Sequence, residues 1–168
     1  MSIESVLILG IGNTLLSDEG IGVHLVERLR ATLGKHPAIE ILDGGTLSFT
    51  LAGPIAGADG LIVVDAARMD SPPGTVKLFR NEEMDRYLTG NRSSVHEVSL
   101  ADLLDIARLS EQLPEQRCLV GIEPYCLAWG DKPSREMRPA MERACELILA
   151  LLLDWGVLES AEGSKLIY

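Results

Sequence analysis

Short runs of consecutive apolar residues alternate along the chain with longer stretches in which apolar positions return every third or fourth residue. Val6 to Leu9, flanked by Ile3 and Ile11, forms the first run. Ile39 to Leu42, Leu61 to Val64, Thr75 to Phe79 and Cys118 to Ile122 follow as four more. Runs of this length without polar alternation predict strands covered on both faces. Between them, Ile21, Leu25, Leu29 and Leu33 recur at every fourth position and predict a helix from about Gly20 to Leu33. Ser99 and Asp102 have capping-box spacing ahead of Leu100, Leu103, Leu104 and Ala107. Ser134 is the expected cap of a last helix whose apolar face holds Met137, Met141, Ala144, Ile148 and Leu151. Pro54 shortens or kinks any helix after Thr46. Five strands alternating with helices predict an α/β fold, a mostly parallel sheet between helical layers.

Length and composition narrow this further. The 168 residues fit one domain spanning 1–168, and no repeat or Pro/Gly/Ser linker divides them. Aromatics are only 4%, so Leu, Ile, Val and Ala must build the core. A net charge of −10 argues against nucleic acid and against an anionic membrane surface, both of which call for Lys and Arg. The N-terminal apolar run lacks a basic segment ahead of it, and Leu147 to Leu153 is too short to span a bilayer. Three cysteines without a C-x-x-C pair make neither a disulfide framework nor a zinc knuckle. A cytoplasmic monomer is the expectation.

In parallel α/β sheets, ligands bind at the carboxyl ends of the strands. The first strand exits through Gly10-Ile11-Gly12-Asn13-Thr14-Leu15, a glycine-rich turn that invites comparison with dinucleotide sites. The third glycine of that fingerprint is replaced by Leu15, and Asp43 follows the turn by more than the usual ~20 residues for a ribose-binding acid. Asp18 and Glu19, at the start of the next helix, would repel a pyrophosphate, so no nucleotide cofactor is expected. Asp65 follows the third strand directly, and short right-handed crossovers would bring the first and third strands together. Glu19 and Asp65 would then face one crevice. His96, in the loop before the Ser99-capped helix, is the histidine best placed to return to it; His24 lies inside a helix and His36 precedes a proline. Taken singly, each of these residues is explained by capping or turn formation. Two carboxylates and an imidazole together suit nickel, zinc, iron or manganese and leave coordination positions open.

The blocks that carry these residues resemble a known family. LILGIGNTLLSDEGIGVHLVERL, EILDGGT at Glu40 to Thr46, LIVVDAA at Leu61 to Ala67, HEVSLADLL at His96 to Leu104 and LVGIEP at Leu119 to Pro124 are similar, in order and spacing, to the hydrogenase maturation endopeptidases. The likeness runs from about residue 5 to residue 155. It implies a three-layer α/β/α sandwich around a five-stranded sheet. It further implies an endopeptidase that removes the C-terminal extension of a nickel–iron hydrogenase large-subunit precursor after nickel insertion, cutting just after its final C-x-x-C-x-x-His/Arg motif. The family's metal-binding positions correspond to Glu19, Asp65 and His96, with the nickel carried by the substrate. Catalysis by Glu19 and Asp65, with Asp18 and Asp43 as accessory acids, would be metal-guided or would resemble an aspartyl protease. A metal-sensing module without peptidase activity, or a nucleotide-dependent enzyme, are the competing classes.

Overall fold

A computed structural model describes residues 2–91 and 98–159. Strands β1 (Val6–Ile11), β2 (Ile39–Gly45), β3 (Gly60–Ala66), β4 (Val76–Arg80) and β5 (Gln116–Ile122) form one sheet in the order β2-β1-β3-β5-β4. All pairings are parallel except β4 with β5, which is antiparallel at the edge. β1 and β3 are neighbours, as the crossover rule required.

The helices are α1 (Ile21–Leu33), α2 (Ala52–Ala56), α3 (Glu82–Gly90), α4 (Leu100–Leu109) and α5 (Arg138–Asp154). They cover the sheet on both faces, and the alternation of side chains divides the core accordingly. Val6, Ile8, Ile62, Val64, Cys118 and Val120 point into a cluster with α1 and α5. Leu7, Leu9, Leu61, Val63 and Leu119 point the other way, against α2, Met84 of α3, and α4. This is why the central strands read as unbroken apolar runs. Each fully buried Leu, Ile or Val contributes about 1.5–3 kcal/mol relative to exposure.

Two details differ from the sequence expectation. α3 is absent from it: the helix is nine residues long, and only Met84, Tyr87 and Leu88 reach the core, although its acidic first turn of Glu82, Glu83 and Asp85 suits a helix N-terminus. Ser134 takes the N-cap position of a 3₁₀ turn, Arg135–Met137, rather than of α5, and its side chain makes no capping bond but binds Asp18; α5 follows with Pro139 in its first turn. The Ser99 cap does form, Ser99 Oγ accepting from the Asp102 N–H at 3.2 Å and Asp102 Oδ2 accepting from the Ser99 N–H at 2.9 Å. α2 is short, as Pro54 demands.

One close contact sets the geometry of the strand ends. A Cβ at Gly22 would lie 2.2 Å from the Val64 carbonyl oxygen and 2.4 Å from that of Ile11. Only glycine lets the first turn of α1 rest directly on β1 and β3. At the exit of β1, Gly12 has φ +142°, and a Cβ there would meet the Glu19 carbonyl oxygen at 2.0 Å. The two glycines draw Glu19 down toward the end of β3, where Asp65 lies.

Candidate active site

Glu19 lies in a 3₁₀ turn, Ser17–Gly20, that leads into α1. Its neighbour Asp18 is fully buried and faces away from solvent. Asp18 Oδ2 accepts from the N–H groups of Tyr125 at 2.9 Å and Cys126 at 2.7 Å, while Oδ1 accepts from the Ser134 N–H at 2.6 Å and from Ser134 Oγ at 2.9 Å. The Asp18 N–H donates in return to the Cys126 carbonyl at 3.0 Å. Asp18 therefore pins the 124–134 loop to the first strand–helix turn, and Glu19 is left as the acid of the pair that lines the open cleft.

That cleft, of about 450 Å³, lies at the carboxyl ends of β1 and β3. Gly12, Asn13, Leu16 and Glu19 wall one side, Asp65 forms part of the floor, and Leu47, Leu88, Val98 and Ser99 close the rest. Glu19 and Asp65 thus come together as expected, both partly buried. Burial holds the Asp65 carboxyl well above its ordinary range, and the Glu19 charge pushes it the same way. Burial also raises Glu19, with the Arg68 guanidinium acting against it.

Asp43 does not line this cleft. It is exposed, and its Oδ1 accepts from the Gly45 N–H at 2.8 Å, a turn-forming bond. His36 Nδ1 likewise accepts from the Ala38 N–H within its own loop. His96 lies outside the described residues, and among those described no group of three or more His, Cys, Asp or Glu could hold a metal ion. The two carboxylates do fit a divalent cation as donors: a buried, like-charged acid pair is stabilised by a shared proton or by a cation. Burial pushes the Cys118 thiol up to about 11, so it is no nucleophile at neutral pH.

Three polar residues beside the pair were not singled out from the sequence. Tyr87 stacks on Phe79 and donates to the Arg68 carbonyl at 3.4 Å, and burial, then the charges of Asp65 and Glu123, raise its hydroxyl pKa. Glu123 is buried and accepts from the Met69 N–H at 2.6 Å. Arg68 is the exposed cation acting on Glu19. Glu123 stands inside the LVGIEP block, which was its only sequence signal; Arg68 and Tyr87 had none.

A doubly covered, mostly parallel sheet with two acids at its strand ends places the protein in the class of α/β domains that bind ligands at the carboxyl ends of their strands. Comparison with known proteins narrows it. The family model of the HycI hydrogenase maturation proteases matches residues 23–155. The hydrogenase 2 maturation protease of Escherichia coli is 39% identical over 153 residues, covering 90% of this chain and 93% of that one. HoxM, a hydrogenase expression/formation protein of Azotobacter vinelandii, is 35% identical over 162 residues, 96% of this chain and 78% of its own length. The solved structure of the E. coli hydrogenase maturating endopeptidase HybD superimposes with a TM-score of 0.81 at 37% identity, covering 90% of this chain and 94% of that one. The chain belongs to the hydrogenase maturation protease family and is an endopeptidase, a hydrolase.

Proposed function

We propose that the protein removes the C-terminal extension of a nickel–iron hydrogenase large-subunit precursor once nickel has been inserted, and that it reads the inserted nickel through Glu19, Asp65 and His96. The observation that carries this reading is the convergence of Glu19 and Asp65 in one cleft at the strand ends. His96 lies outside the described residues and joins the pair in this reading through the family resemblance. The nickel is part of the substrate. When bound it would polarise a nearby carbonyl or a water.

The chain's own residues orient and exclude. Burial and the Glu19 charge both disfavour an ionised Asp65, and the Arg68 guanidinium acts only on Glu19, so the pair favours a precursor that brings a cation over one that does not. The cleft walls hold the scissile segment, and positioning alone supplies up to about 7–11 kcal/mol in well-oriented cases. A second reading rests on the acid pair in the cleft: burial disfavours ionisation of both, and the Glu19 charge adds to this at Asp65, so Asp65 would be the acid that protonates the leaving amine while Glu19 accepts a proton from water. Asp18 and Asp43 act in turn and loop geometry under either route. We further propose a cytoplasmic monomer without a nucleotide cofactor. No helix among the described residues is long and apolar enough to cross a membrane.

The test mixes purified protein with nickel-loaded and nickel-free precursor and follows the large-subunit mass. Loss of the tail from the loaded form alone is expected. Equal cleavage of both would remove nickel reading and favour the carboxylate-pair route; an intact tail in both would leave a binding module without peptidase activity. Glu19→Gln, Asp65→Asn and His96→Ala should each abolish processing, and normal processing by His96→Ala would withdraw that residue from the site.

A further inference from the structure

Two loops at the mouth of the cleft carry apolar side chains that the core does not use. Leu15 is 58% exposed, Tyr125 60% and Trp129 82%. Their backbones are held side by side. Leu16 and Gly130 form a parallel bridge, the Gly130 N–H donates to the Leu15 carbonyl at 3.0 Å, and the Ser17 N–H donates to the Gly130 carbonyl at 2.9 Å. In that register Leu15 and Trp129, the residues preceding the bridged pair, lie across from one another. The Ser17 hydroxyl adds a bond to the Ala128 carbonyl at 2.8 Å. Buried Asp18 secures the same loop through the Tyr125 and Cys126 N–H groups. Leu16, next to Leu15 in sequence and bridged to Gly130, lines the cleft.

We propose that Leu15, Tyr125 and Trp129 form a docking ledge for the folded body of the large-subunit precursor, separate from the cleft that takes its C-terminal segment. This rests on the function proposed above. A cleft of about 450 Å³ admits only a short piece of chain, whereas a specific complex buries about 800 Å² on each partner. A wider contact must therefore lie around the mouth. Trp and Tyr held in place by a clamped backbone are the side chains that anchor such contacts, since little freedom is lost when they are covered. A second copy of the chain is the poorer occupant: it carries the same −10 charge, and seated on the ledge it would obstruct the cleft. The partner surface that fits is an apolar pocket rimmed by Lys or Arg.

The test compares wild type, Trp129→Ala and Leu15→Asp as full chains, measuring affinity for folded, nickel-loaded precursor and the KM and kcat of processing. The ledge predicts at least a tenfold loss of affinity and an equal rise in KM, with kcat within twofold and thermal stability unchanged. Rescue by Trp129→Phe above Trp129→Ala is also expected. A wild type that processes normally, with both variants unchanged in affinity, overturns the ledge alone. A wild-type dimer in sedimentation that Trp129→Ala dissociates overturns it too, by giving the surface to a second copy. An inert wild type overturns the underlying function, and the ledge with it.

Discussion

Removing the Asp18 carboxylate should loosen the whole 124–134 loop while leaving the sheet in place. Three backbone N–H groups and one hydroxyl converge on this side chain, which is fully buried. In Asp18→Ala each loses its acceptor, and a buried donor without a partner costs about 1–3 kcal/mol. Four such losses cannot all be realised, because the loop is partly solvated and will open to water. A net cost of about 4 kcal/mol follows. Asp18→Asn keeps an oxygen for the consecutive Tyr125 and Cys126 amides but sets its NH₂ group against the Ser134 N–H, so about 2 kcal/mol is expected. Urea denaturation should show the order wild type, Asn, Ala with an unchanged slope. At about 2–4 °C per kcal/mol for a domain of this size, the Ala variant should melt about 8–16 °C lower. Processing should fall in parallel, because Glu19 sits on the same turn. An Asp18→Ala protein within 1 kcal/mol of wild type would refute the clamp, as would an Asn variant less stable than the Ala variant.

Gly22→Ala forces a Cβ into the Val64 and Ile11 carbonyls and should cost about 3 kcal/mol, read by thermal melting, with loss of processing as α1 lifts Glu19 from Asp65. Asp65 behaves in the opposite sense. Its folded pKa lies above the unfolded one, so the native state loses stability as pH rises from the ordinary carboxylate range through the folded value. Asp65→Asn should therefore be as stable as wild type or more so at pH 7 without metal, and inactive; a large loss of stability there would contradict the raised pKa. Asp85 accepts from Arg117 Nε at 3.0 Å and from Arg108 at 3.1 Å, and the Arg117 hydrogen bond leads in holding its carboxyl below the usual range. That stabilisation is present above the unfolded carboxylate pKa and is lost as pH falls through the folded value. Asp85→Asn should cost about 2 kcal/mol at pH 7 and flatten the acid limb of the stability curve.

Much of the fold was legible because its signals are local. Apolar runs such as Leu61–Val64 mark strands covered on both sides, the four-residue recurrence from Ile21 marks α1, and Ser99 with Asp102 marks the start of α4. The strand-end rule together with these elements brought Glu19 and Asp65 to one crevice, and the family resemblance added His96 and a nickel-bearing substrate. α3 escaped because it is only nine residues long and few of them are apolar, Met84, Tyr87 and Leu88 alone meeting the core. The bond between Ser134 and Asp18 escaped for a different reason. Each has the composition of a local cap, yet their bond joins residues 116 positions apart. No window of sequence contains both ends of such a bond. The same holds for Gly22, whose need for hydrogen in place of a side chain arises from Val64, and for the Asp65 carboxyl, whose pKa is set by burial and by Glu19 across the sheet. The sequence by itself determined the five strands, the helices α1, α4 and α5, and the identity of the acids. Tertiary structure decided which acid is spent on holding a loop and which is left lining the cleft, because desolvation and hydrogen bonding depend on neighbours that only the folded chain supplies.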